Sequence, residues 1–188
     1  MWRSLLFVPV LEERFIAKAA NSGADAVVLD LEASIADARK ADARAALPEA
    51  AARLASEIDV TVRINPLWLE AIRDLEACMC EGISAIHLAR CNGPEEVIAV
   101  DRLITELERD RGLNGPTPSL IAMLVKSRRP PVDPRWIITE LDRAIQHNGG
   151  TMMIVIYSHQ HFAGQHMRVI NPVRRIINRP HRHLIAQR

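Results

Sequence analysis

No apolar run in this chain is longer than a strand, so no segment is expected to span a membrane. Nothing like G-x-G-x-x-G follows the first apolar segment, RSLLFVPV (3–10), which sets a dinucleotide-binding sheet behind other α/β folds. Cysteine is scarce: Cys78, Cys80 and Cys91 are odd in number, and no fourth ligand stands at a suitable spacing from the Cys-x-Cys pair. Free, partly buried thiols in a reducing compartment are therefore expected, not disulfides or a zinc site. The opening MWRSLLFVPVLEERF has a short apolar run followed by glutamates where a cleavage site would need small residues. It does not read as a signal peptide, and the cytoplasm is the expected location. Aromatic residues make up only 4% of the sequence, and residues 126–188 offer just Trp136, Tyr157 and Phe162 for stacking on bases.

What is present divides in two. The 188 residues are 48% hydrophobic, enough for one domain with a sizeable core, and the net charge is +1. That small charge conceals an asymmetry. Residues 1–125 hold 13 Lys and Arg against 20 Asp and Glu, whereas residues 126–188 hold 11 against 3. Alanine falls from 22 residues in the first part to 3 in the second, and six of the seven histidines lie in the second. Such a break marks a tail or a second module, so the expected organisation is a 1–125 unit and a basic, His- and Arg-rich stretch at 126–188.

The first part alternates two periods. Strands are expected at 3–10, 24–32, 60–66, 84–89 and 119–125. Helices are expected at 12–23 with Gly23 as the stop, at 36–47, at 48–57 with Pro48 in its first turn, at 67–82, and at 94–112 between Pro94 and Gly112. Beyond Val125, 134–150 could form a helix and 151–157 a strand; the remainder has no clear period. Short, nearly all-apolar strands alternating with helices in units of about 25–30 residues predict a parallel α/β sheet, either a (β/α)8 barrel or an open doubly wound sheet. A full barrel needs roughly 200 residues or more, so an incomplete barrel of four to five β/α units with an irregular tail is the expectation.

Polar residues gather at the predicted strand ends: Asp30 and Glu32, Arg63 and Asn65, Arg90. Two carboxylates two apart on an extended chain point to the same side. They could bind a metal or its waters, position a proton, or simply form salt bridges or helix caps. An arginine at the neighbouring strand end could grip a carboxylate or thioester oxygen in a bidentate fork, or be a structural ion pair.

Five stretches, RSLLFVP (3–9), RFIAKAANSGADAVVLDLEAS (14–34), ARKADAR (38–44), VRINPL (62–67) and SLIAML (119–124), together resemble the citrate lyase beta-subunit-like proteins of the HpcH/HpaI aldolase superfamily. The resemblance covers residues 3–125. It implies a (β/α)8 barrel, often oligomeric, and a Mg2+-dependent carbon–carbon lyase that cleaves or forms a 3-hydroxyacyl-CoA thioester of the citryl-, malyl- or methylmalyl-CoA kind. It implies Arg63 as substrate and enolate clamp, Asp30 and Glu32 as acids near the metal's water shell, and Arg3, Lys18 and Arg90 as contacts to the thioester or its CoA. For Lys18 a solvated helix face is the competing reading.

The sequence departs from that family at four places. Val10 stands where a glycine is usual, Ala33 where a third acid is usual, and Ala89-Arg90 where Pro-Lys is usual. At the end of the fifth strand the family's metal-ligating glutamate is replaced by Val125, with Lys126 beside it; valine supplies no oxygen to Mg2+. No intact metal site is therefore expected. A frame slip or a fused end near residue 126 would explain the change in composition, and the alternative function is a non-catalytic remnant of such a lyase. Two further readings of 126–188 are a metal site from His159, His161, His166, His181 and His183, and a basic surface for nucleic acid or another acidic partner. The first lacks acids or cysteines to complete it; the second has few aromatics.

Overall fold

The computed structural model describes residues 2–113, 118–125, 152–157 and 167–168. The expected helix at 134–150 and the tail histidines lie outside them. The chain starts with a strand, β1 (Ser4–Pro9), then a helix, α1 (Glu13–Ala19), which a 3-10 turn extends to Gly23. Gly23 has φ +77°, a left-handed conformation that an L side chain would resist, and it ends the helix there. Next come β2 (Ala26–Asp30), α2 (Lys40–Ala55), β3 (Asp59–Ile64), α3 (Leu69–Cys78), β4 (Ile83–Cys91), α4 (Pro94–Asp110) and β5 (Ser119–Val125). Two further strands are β6 (Met152–Tyr157) and β7 (Met167–Arg168).

The two helices expected at 36–47 and 48–57 are one. Pro48 lies inside α2, where it removes a backbone donor at a cost of about 3 kcal/mol. The helix continues because Ala43, Leu47, Ala50, Ala51 and Leu54 form one buried stripe on both sides of the proline, which itself faces solvent.

The sheet order is β6-β5-β4-β3-β2-β1-β7. Every neighbouring pair from β1 to β6 is parallel, and only β7 runs antiparallel, against β1. From β1 to β6 the parallel strands follow one another in sequence order without the reversal that defines a doubly wound sheet, so that alternative is set aside. The strand expected at 151–157 is β6, and it continues the progression beside β5.

Alternate residues divide the sheet into two faces. Val27, Leu29, Val60, Val62, Ile64, Ile86, Leu88, Leu120 and Ala122 pack with the helices in the main core. Leu5, Ala26 and Val28 form a second cluster with Trp2 and Phe7. That second face also carries Asp30, Thr61, Arg63 and His87, all buried. Burial on both faces explains why these strands read as unbroken apolar runs rather than alternating ones.

Candidate functional site at the strand ends

The parallel register places Asp30 of β2 beside Arg63 of β3, and Arg63 beside His87 of β4. The three side chains therefore stand in one row across the C-terminal part of the sheet. Arg63 donates from Nε to Asp30 Oδ1 at 2.7 Å and from an outer nitrogen to Oδ2 at 2.6 Å. Its side chain is 4% exposed and its guanidinium carbon lies 4.8 Å from the Phe7 ring centroid. Asp30 accepts two more bonds from the turn that follows β2: Glu32 N–H to Oδ1 and Ser34 N–H to Oδ2, each at 2.9 Å. Burial pushes this carboxyl up, but Arg63, Ser34 and the Glu32 backbone outweigh burial and hold it below the usual carboxylate range.

Glu32 stands between two arginines. Arg90 donates to its Oε1 through Nε at 3.1 Å and through an outer nitrogen, and Arg63 approaches Oε2 at 3.6 Å. Arg90 is the only described non-glycine residue with positive φ, at 52°, and it sits where the β4–β5 register shifts between Leu88 and Cys91. Non-glycine residues take this conformation only where the surroundings impose it.

A second layer holds the turn. The buried Lys40 amine, from the start of α2, donates to Leu31 O at 2.8 Å, Glu32 O at 2.6 Å and Asn65 Oδ1 at 2.8 Å. Asn65 donates in turn to Leu31 O and, from backbone and side chain, to the buried Asp74 carboxylate. Arg44 closes the network onto Asp74 and Glu70.

Of the residues singled out in the sequence, the structure therefore brings together Asp30, Glu32, Arg63 and Arg90. It does not bring Arg3 to them. Arg3 precedes β1 at the opposite end of the sheet and pairs with Asp25 at 3.2 Å. Lys18 lies on the exposed face of α1. Asp30, expected as an acid beside a metal's water shell, has all four of its lone-pair positions taken and acts as the clamp on Arg63. Lys40, inside ARKADAR, carries no role that the sequence assigns. Its signal is a cation in the first turn of a helix, where the dipole favours acids.

His87 was also missed, and its signal is an ionisable residue in the middle of the otherwise apolar run from Ala85 to Ala89. Its Nε2 lies 3.0 Å from Thr61 Oγ1, which already donates its hydrogen to Val27 O. Thr61 must then accept, so Nε2 carries the ring proton and Nδ1 is a bare acceptor, which has no hydrogen-bond partner. Burial and the Arg63 charge push this imidazole down to about 3. A folded-state value below the unfolded one means that His87 contributes stability above about pH 6.5, and that this is lost as pH falls toward 3. Across that window the unfolding free energy read from urea titrations is expected to fall with a slope approaching one proton, about 1.4 kcal/mol per pH unit. His87→Val should flatten the profile; an unchanged slope would show that His87 is not buried neutral.

A sequence model of the HpcH/HpaI aldolase/citrate lyase family matches residues 3–157, and the chain belongs to that family. The match runs past Val125, where the motifs quoted above end, and through β6. Among individual relatives, the citrate lyase subunit beta of Haemophilus influenzae is 28% identical over 65% of this chain and 43% of its own length. The L-malyl-CoA/beta-methylmalyl-CoA lyase of Cereibacter sphaeroides is 35% identical over 61% and 37%. The chain thus spans about two-fifths of the curated relatives it matches. The protein CitE of Mycobacterium tuberculosis, solved with magnesium and pyruvate, superposes with a TM-score of 0.54 at 27% identity, covering 80% of this chain and 52% of that one. A Haloferax volcanii malate synthase superposes with a TM-score of 0.68 at 13% identity over 83% and 51%, and shares the fold. No described helix is long and apolar enough to cross a membrane.

Magnesium accompanies several of the solved relatives. The described residues of this chain do not fit that ion. Mg2+ demands a near-octahedral set of oxygens. Asp30 has no lone pair left, Glu32 is shared by two guanidinium groups, and no cluster of three or more His, Cys, Asp or Glu suited to a metal exists among the described residues. Val125, at the end of β5, has no oxygen in its side chain.

Proposed function

We propose that this chain carries the first β/α units of a (β/α)8 barrel of the carbon–carbon lyase kind, and that its strand-end mouth receives the acyl end of a 3-hydroxyacyl-CoA thioester such as citryl-, malyl- or methylmalyl-CoA. The observation that carries this reading is the convergence of Arg63, Asp30, Glu32 and Arg90 at the C-terminal ends of successive parallel strands, the place where barrel enzymes put their chemistry, in a chain of this family. In such a cleavage the substrate hydroxyl passes its proton to a base, its carbon becomes the carbonyl of an oxo acid as the bond between the α and β carbons breaks, and the electron pair becomes a thioester enolate that then takes up a proton and leaves as acyl-CoA. Arg63 has its plane set by Asp30 and would meet the developing oxygen charge without reorganising. Arg90, more exposed, would meet the substrate's carboxylate. Lys18 remains a CoA contact within this proposal only, whereas Arg3, paired with Asp25 at the far end of the strands, is not carried into it. Assembly into a homo-oligomer and a cytoplasmic setting belong to it as well.

One observation favours a second reading, a non-catalytic remnant: both mouth carboxylates are committed to arginines. Incubation with malyl-CoA or citryl-CoA and Mg2+, with acetyl-CoA release and thioester affinity measured together, separates the two. The Arg63→Lys variant keeps the charge beside Asp30 but cannot form the two-bonded fork. Thioester binding is expected in the unaltered chain and at least about tenfold weaker in Arg63→Lys, with turnover near that variant's background. Turnover well above it would select the lyase over the remnant. Absence of binding would remove the lyase reading and leave the remnant.

A further inference from the structure

The misfit between this mouth and a divalent ion has a positive counterpart in Arg90. The Glu32 carboxylate is buried, and burying a carboxylate requires a compensating charge. Arg63 cannot supply it alone: two of its nitrogens are on Asp30, and its closest approach to Glu32 is 3.6 Å. Arg90 does supply it, from the solvent side, with two nitrogens on a single Glu32 oxygen. It does so from a left-handed backbone conformation at an irregular point of the strand, 58 residues away in sequence. A cation placed at Glu32 by other means would meet two guanidinium groups at close range, in a site already balanced by two negative and two positive side chains. The Arg90 side chain is nevertheless 65% exposed. Nε and one outer nitrogen face Glu32, and the rest of its planar set of donors is open to a second carboxylate in the fork geometry that arginine favours.

We propose that Arg90 is the resident cation of this mouth. It stands at Glu32 in place of a divalent ion, and the mouth takes a carboxylate-bearing oxo acid on the outer edge of that guanidinium without metal. This inference rests on the proposed family function of the site but differs from it in one respect, the independence from Mg2+.

Oxaloacetate titrated calorimetrically into the full chain tests it, once in excess EDTA and once in Mg2+. The affinities are expected to agree within about twofold, and Arg90→Ala is expected to weaken binding in EDTA by about tenfold or more. Arg90→Gln keeps most of the side-chain length while losing the charge; it guards against a folding defect and is expected to lose the same affinity. Binding that appears only with Mg2+ would overturn the resident-cation inference and leave the family reading standing. Unchanged affinity in both Arg90 variants would overturn the role of Arg90. Absence of binding in either buffer would remove the reading of the mouth itself, and this inference with it.

Discussion

Asp30→Ala is expected to lower the stability of the folded chain by about 3–5 kcal/mol. The substitution removes the carboxylate that holds Arg63 through two short bonds and leaves a guanidinium almost fully buried against Phe7. It also strips acceptors from the Glu32 and Ser34 amides, so the turn after β2 loses its tether along with the ion pair. Arg63→Ala should cost a similar amount from the other side, by stranding Asp30. The pair is not itself a large source of stability, because removing two charges from water offsets most of their attraction. Replacing both residues, as Asp30→Leu with Arg63→Met, is therefore expected to recover most of the loss, with the coupling read from a double-mutant cycle of urea midpoints. If Asp30→Ala costs less than about 1 kcal/mol, the pair behaves as a solvated surface bridge and the burial described here is wrong. The pH dependence has a definite sign. The Asp30 carboxyl lies below its unfolded value, so its contribution is complete above about pH 4 and is lost as pH falls through the folded value. This window lies at the acid end of the His87 window, and Asp30→Asn should remove it while leaving the His87 slope in place.

Lys40→Met is expected to cost about 2–4 kcal/mol. The amine uses its three hydrogens on three acceptors, Leu31 O, Glu32 O and Asn65 Oδ1, so the buried charge is fully satisfied. Methionine has a similar shape and no donor. It would leave Glu32 O and Asn65 Oδ1 without this partner, whereas Leu31 O keeps the Asn65 amide at 2.9 Å. The consequence should reach the mouth, because the carbonyls of Leu31 and Glu32 are the two points at which Lys40 pins the turn after β2. Amide hydrogen exchange at Glu32 and Ser34 is expected to quicken, and the oxaloacetate affinity to fall together with the urea midpoint. A loss below about 1 kcal/mol with unchanged exchange would show that the turn is held by Asp30 alone.

The order of elements was legible because each strand is a short apolar run and each helix carries an apolar stripe at helical spacing, both of which are local properties. Pro48 was misread for the same reason: proline is a local signal for a helix start, whereas the stripe from Ala43 to Leu54 that carries α2 through it is set by the packing beneath. Asp30, Glu32, Arg63 and Arg90 were legible as candidates because acids and arginines are conspicuous at the ends of apolar strands. Their pairing was not, since Asp30 and Arg63 are 33 residues apart and Glu32 and Arg90 are 58 apart.

Lys40 and His87 show where local pattern stops. A lysine in an alanine-rich helix is ordinarily a solvated residue, and a histidine within an apolar strand is ordinarily half-exposed. The distances that make one a buried tripod and the other a bare acceptor exist only once β2, β3 and β4 lie side by side. The periodicity of the chain, its strand-end polar residues and its family were settled by residues close in sequence, through side-chain alternation and helical spacing. Which carboxylate clamps, which one is shared, and whether any has a lone pair left for a metal were settled by register. A parallel register joins residues tens of positions apart, and no short stretch of the chain contains that information.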